Sequence, residues 1–128
     1  MLIEFRVTNF RSFKGTQIFS MVSTKSKEYL ESNTFDPGLK GFNERLLRSS
    51  GIYGANAAGK TNLLLALQFM QIFVCNSAAQ QAGSYYHTPF KFSSATRDAP
   101  SEFEVTFVQN GIRYEYGFSD NDYSYLFF

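Results

Sequence analysis

The sequence has no tryptophan and a single cysteine, and its formal net charge is only +1. One cysteine excludes an internal disulfide and suits a reducing, intracellular compartment. A near-neutral balance gives no support for a strongly basic nucleic-acid surface, and none for an acidic tail. Long hydrophobic runs are missing too. The longest apolar stretch, residues 63–75, is interrupted by Gln68 and Gln71 and is too short to span a bilayer. The start, MLIEFRVTNF, sets charges among its apolar positions and has no h-region, so it is no signal peptide. These absences lead to the expectation of a soluble, cytoplasmic chain with no membrane partner.

What the chain has in quantity is aromatic side chains: fifteen Phe and eight Tyr in 128 residues. Such a composition favours a sheet-rich core over disorder. The length suits one domain, which buries roughly two-thirds of the surface its unfolded chain exposes and needs neither disulfide nor metal. The expected fold class is mixed α/β.

Residues 2–8 alternate, with Ile3, Phe5 and Val7 on one side and Glu4, Arg6 and Thr8 on the other, as in a half-buried strand. A turn follows at residues 9–15 (NFRSFKG), and residues 16–22 resume an extended pattern, so residues 1–22 read as an antiparallel β pair. Residues 23–45 lose periodicity and contain Asp36-Pro37-Gly38, a turn signal; they read as a loop excursion with a short helical turn near residues 27–32. Residues 46–53 are expected to form a central strand. The helix after it, about residues 59–75, is apolar nearly all round and is expected to be buried, with Cys75 a small buried hydrophobe. Residues 76–101 read as a linker. Asn110-Gly111 then predicts a two-residue hairpin turn within residues 103–118. Its register places Phe107 opposite Tyr114, Val105 opposite Tyr116 and Phe103 opposite Phe118 on one face, best read as a sheet face packed on the core.

Between strand and helix lies Gly54-Ala55-Asn56-Ala57-Ala58-Gly59-Lys60-Thr61, which fits G-x-x-x-x-G-K-[ST] at every fixed position. Such a loop is a phosphate cradle. Successive backbone N–H groups form an anion nest, and the helix N-terminus adds unpaired donors and about half a positive charge. Gly54 permits the tight turn and Gly59 lets phosphates approach the backbone. Lys60 reaches the β- and γ-phosphates, and Thr61 offers its hydroxyl to magnesium. The expected ligands are therefore ATP and Mg2+, with Lys60 as the catalytic lysine and Thr61 as the metal-holding residue. A P-loop kinase or GTPase fits less well, because there is no N-K-x-D guanine-reading motif and no basic lid.

The pairing of MLIEFRVTNFRSFKG with IYGANAAGKTNLLLAL resembles the N-terminal part of ABC-type ATPases of the SMC/RecF group, and most closely bacterial AAA-family ATP-binding proteins related to the OLD nucleases, many of them linked to phage defence. The resemblance covers most of the chain and is weakest over residues 23–45. It implies the first lobe of a P-loop NTPase, a central strand–loop–helix with an antiparallel β subdomain. It also implies that Arg11 lies beside the nucleotide, that Asn56 and Asn62 lie near the phosphates, and that DNA or RNA is a partner of the complete protein. Phe10 and Phe13 read as core rather than adenine platforms.

Hydrolysis of the ABC type needs an apolar strand ending in Asp-Glu, an S-G-G signature and a switch histidine, and none is found. Asp120 and Asp122 sit in what reads as a polar turn, His87 reads as a loop histidine, and Gln109 is a poor Q-loop candidate. The aromatic end, residues 123–128 (YSYLFF), suits an interrupted sheet. The chain is therefore expected to bind ATP but to need a missing C-terminal lobe or a head-to-head homodimer for turnover. A non-catalytic nucleotide-binding or interaction module remains the alternative.

Overall fold

The computed structural model describes residues 1–76, 87–120 and the strand at 125–127. Its frame is an antiparallel sheet of five strands, β1 (Leu2–Thr8), β2 (Gln17–Ser20), β5 (Ser101–Gln109), β6 (Ile112–Asp120) and β7 (Tyr125–Phe127), in the order β2-β1-β5-β6-β7. Between β2 and β5 the chain forms α1 (Leu30–Asn33), the short pair β3 (Thr34–Phe35) and β4 (Leu46–Leu47), the long helix α2 (Lys60–Asn76) and α3 (Ser94–Arg97).

The hairpin of β5 and β6 has the register that its sequence dictates, with Phe103 opposite Phe118, Val105 opposite Tyr116 and Phe107 opposite Tyr114. Its turn uses Asn110 at φ 53° and Gly111 at φ 72°, the left-handed pair that matches the twist of the strands. Helix α2 lays Ala66, Met70 and Phe73 on this aromatic face together with Phe5, Val7 and Phe10. The rings of Phe73 and Phe118 stack with centroids 3.9 Å apart, and Phe69 stacks on Phe103 at 5.0 Å. Each fully buried ring contributes about 1.5–3 kcal/mol through area removed from water.

The opposite face is covered as well. Ile3, Leu46 and Val108 form a second buried cluster, joined by Val22, Phe35, Leu39 and Phe42 from the 23–47 segment. A bulge explains how β1 serves both faces. Leu2 pairs with Phe107 and Glu4 with Thr106, so Ile3 is an extra residue and turns to the side opposite Phe5 and Val7. Strict alternation had placed Ile3 with Phe5.

Three further expectations are corrected. Residues 46–53 do not form a central strand: only Leu46–Leu47 is extended and paired, with Thr34–Phe35, while residues 48–53 are exposed and irregular. An extended segment is stable in a sheet only when its N–H and C=O groups find a neighbouring strand, and none lies alongside here among the described residues. The helix α2 is not buried all round, because it packs on one layer. Leu64, Ile72 and Val74 face outward, and Cys75 is exposed rather than buried. Asp120 is not in a polar turn but ends β6, where it is buried. Residues 77–86 of the linker, Asp122, and the side chains of the YSYLFF segment lie outside the described residues.

Candidate functional site

The glycine loop stands between the exposed 48–53 segment and the first turn of α2. Residues 56–62 line a cavity of about 290 Å3. Two residues of the loop take left-handed backbone angles, Ala57 at φ 65° and Gly59 at φ 92°, which winds the chain back on itself before the helix starts. The N–H of Ala58 donates to the carbonyl of Ala55 at 3.2 Å, closing the turn. The N–H of Leu63 donates to the carbonyl of Gly59 at 3.0 Å, so the helical ladder begins at Gly59. The N–H groups of Lys60, Thr61 and Asn62 therefore have no carbonyl one turn back to bond within the helix, and the residues that carry them line the cavity.

Lys60 curls back over this loop. Its Nζ donates to the carbonyl oxygens of Gly54, at 2.5 Å, and Ala55, at 2.6 Å. The ammonium is thus stowed at the mouth on neutral acceptors and can exchange them for an anion without crossing the molecule. Thr61 is exposed on the same turn. The sequence-derived loop residues are brought together: Asn56, Ala57, Ala58, Gly59, Lys60, Thr61 and Asn62 line one cavity, and Gly54 and Ala55 hold the lysine.

The N-terminal turn docks on this loop. A Cβ placed on Gly59 would lie 2.9 Å from Cε1 of Phe13 and 3.4 Å from Oγ of Ser12, and Asn62 Nδ2 donates to Ser12 Oγ at 2.8 Å. Arg11 is positioned differently. Its backbone is left-handed at φ 50°, its N–H donates to the carbonyl of Thr88, and its guanidinium lies 5.7 Å from the centre of the Phe10 ring. It is not among the residues that line the loop cavity. Asn9 anchors the turn from below. Its buried side-chain amide donates to the carbonyls of Thr96, Ala99 and Pro100 and its Oδ1 accepts from the N–H of Phe90. Sequence reasoning took Ser12 as part of a turn and Phe13 as core, and so missed their contact with the loop. The available signal was chemical: a hydroxyl one residue after Arg11 and a carboxamide one residue after Thr61.

A smaller cavity of about 180 Å3 lies on the other side of the loop, where Phe13, Ile52, Tyr53 and Leu63 surround Lys60. His87 is far less exposed than its loop position suggests. Its side chain is 4% exposed and its Nδ1 stands 3.9 Å from the carboxylate of Asp120. Gln109 ends β5 as an exposed residue. No cluster of three or more His, Cys, Asp or Glu able to hold a metal occurs among the described residues, nor does a helix long and apolar enough to cross a membrane.

This loop, strung between an exposed approach segment and a helix N-terminus, stands within the region that a known family describes. Residues 49–127 match the family model described as AAA domain, putative AbiEii toxin, Type IV TA system, over more than half of the 128 residues. The chain belongs to this AAA-domain family. An AAA domain is in general a nucleotide-binding P-loop ATPase domain, and the matched span takes in the whole glycine loop and the helix behind it. No match was found among curated proteins or among solved structures.

Proposed function

We propose that this AAA-family chain binds ATP with Mg2+ through residues 54–61. The observation that carries the reading is the cradle: a wound loop, a helix start and a lysine already folded over the mouth. The residues fit a polyphosphate, because the start of a helix with unpaired N–H groups lines the cavity and Lys60 supplies a cation beside it. In this reading backbone N–H groups of the loop, other than that of Ala58, and of the first turn of α2 hold phosphate oxygens. Lys60 leaves the carbonyls of Gly54 and Ala55 to neutralise the β- and γ-phosphates, and Asn56 and Asn62 orient the loop's two ends. Thr61 is the residue that would hold magnesium, whose chemistry is to spread the charge of the phosphate oxygens. Arg11 supplements Lys60 if its guanidinium leaves the Phe10 ring.

The finer assignment is an ABC-type, SMC/RecF-like site, supported by the NFRSF turn lying against the glycine loop. No carboxylate lines the loop cavity among the described residues. In the ABC-type reading turnover uses an Asp or Glu beside the γ-phosphate, which a second copy packed head to head would supply, with nucleic acid as the partner of the complete assembly. The same observation favours the second reading, a nucleotide-binding module that acts by association without hydrolysis.

A thermal melt with and without Mg-ATP tests binding. At a ligand concentration one hundred times Kd the folded state gains about 2.7 kcal/mol. For a domain of this size the melting temperature then rises by roughly 8–13 °C. Lys60→Ala is expected to remove that shift while leaving the nucleotide-free melt unchanged. Absence of a shift in the wild-type chain at millimolar nucleotide overturns the reading.

A further inference from the structure

We propose that Ser12 is a positioning residue for the phosphate loop, tying the first turn of α2 to the N-terminal turn and so setting how Thr61 is presented. The inference rests on the nucleotide-binding reading and deepens it. Its first support is the hydrogen bond from Asn62 Nδ2 to Ser12 Oγ at 2.8 Å, which joins residues fifty apart in the chain. Asn62 lines the loop cavity and follows Thr61 directly, so a change in its side-chain tether rotates the turn that carries both. Its second support is the close approach of Phe13 and Ser12 to Gly59, the residue from which the helical ladder starts: a Cβ placed there would lie 2.9 Å from Cε1 of Phe13 and 3.4 Å from Ser12 Oγ.

The tie matters because the loop has little else to lean on. Residues 51–58 are all exposed, and the segment that leads into them joins no strand after Leu47 among the described residues. The N-terminal turn, in contrast, is firmly seated. Phe10 and Phe13 exchange backbone hydrogen bonds at 2.9 and 2.8 Å, the N–H of Arg11 donates to Thr88, and Asn9 is held by four partners in residues 90–100. A rigid turn touching a loosely supported loop positions that loop, and Ser12 is its one side-chain hydrogen bond to it among the described residues. Because Ser12 is itself exposed, replacing it removes the tether without opening the core.

The test uses the full chain and a fluorescent ATP analogue, titrated with magnesium present and absent, beside a nucleotide-free melt. Ser12→Ala is expected to weaken magnesium-dependent binding by about three- to tenfold, the span of one modest hydrogen bond, with the nucleotide-free melt unchanged. Ser12→Thr, which keeps the hydroxyl, is expected to restore affinity. In an Asn62→Ala background, Ser12→Ala is expected to cost nothing more, because the two changes remove one interaction. The proposal is overturned if Ser12→Ala binds as the wild type does while Lys60→Ala abolishes binding. It is overturned equally if the Ser12 and Asn62 losses add in full, or if Ser12→Ala lowers the melt and leaves affinity alone. A wild-type chain that binds no nucleotide overturns the parent reading, and this proposal with it.

Discussion

Asn9 shows how much a single side chain can organise. It is 3% exposed and sits at φ 53°, a backbone region that asparagine tolerates better than most residues. Its amide bridges β1 to three carbonyls and one N–H of residues 90–100, and its own carbonyl accepts from Ser101 Oγ at 2.5 Å. Asn9→Ala leaves the carbonyls of Thr96, Ala99 and Pro100 and the N–H of Phe90 without their side-chain partner, while the bond from Ser101 to the backbone carbonyl remains, and we expect a loss of about 2–4 kcal/mol in denaturant unfolding. Tyr116 gives a pH-dependent counterpart. Burial raises its phenol above the ordinary value of 10.0. The folded state thus holds its proton to higher pH than the unfolded state does. Stability from this group is complete below pH 10 and is lost as pH rises through the folded value, since the unfolded chain then binds fewer protons. Tyr116→Phe is expected to flatten the alkaline limb of the stability curve, measured by denaturant midpoints between about pH 9 and 11.

At the scale of elements, the glycine loop and the N-terminal turn form one unit. Gly59→Ala meets two obstacles: a φ of 92° that an L side chain rarely adopts, and Phe13 at 2.9 Å from the new methyl. We expect it to lower nucleotide affinity by at least tenfold, read by the same titration, with a cost to stability of about 1–2 kcal/mol. Parts of the fold are legible in the sequence. The fixed positions of the loop, the Asn110-Gly111 turn and the aromatic register of β5 and β6 all follow from residue type and local spacing. What could not be read is what depends on neighbours distant in sequence. The segment leading into the loop has the apolar character of a strand at Leu46, Leu47, Ile52 and Tyr53, but strand formation needs a partner that sequence period does not reveal. The bulge at Ile3 breaks an alternation that looked regular. The exposure of Leu64, Ile72 and Val74 reflects the single layer beneath α2, which no count of apolar residues discloses. The contact of Ser12 with Asn62 joins two motifs whose spacing along the chain carries no sign of it.

On the scale of the whole molecule, stability is unevenly distributed. The sheet is covered on both faces, by α2 and by the 23–47 segment, whereas the approach to the loop is bare. Arg48 and Tyr53 are exposed in this segment, Tyr53 at 93%. Limited digestion is therefore expected to cut first between residues 48 and 58, with trypsin at Arg48 and chymotrypsin at Tyr53. Saturating Mg-ATP should slow the cut at Tyr53 more than that at Arg48, because the former lies against the loop. Equal rates with and without nucleotide would mean that occupancy does not order this edge.

The stowed lysine also bears on which anions the loop rejects. With Lys60 already satisfied by the carbonyls of Gly54 and Ala55, an incoming anion must outbid two short, charge-assisted bonds before it gains the ammonium. A small monovalent ion replaces them with one contact and wins little. A chain of phosphates offers several oxygens at once, some to the lysine and the rest to the helix N-terminus. In the proposed reading the loop would therefore favour a polyanion, which engages the lysine and the helix N-terminus together, over a small monovalent ion.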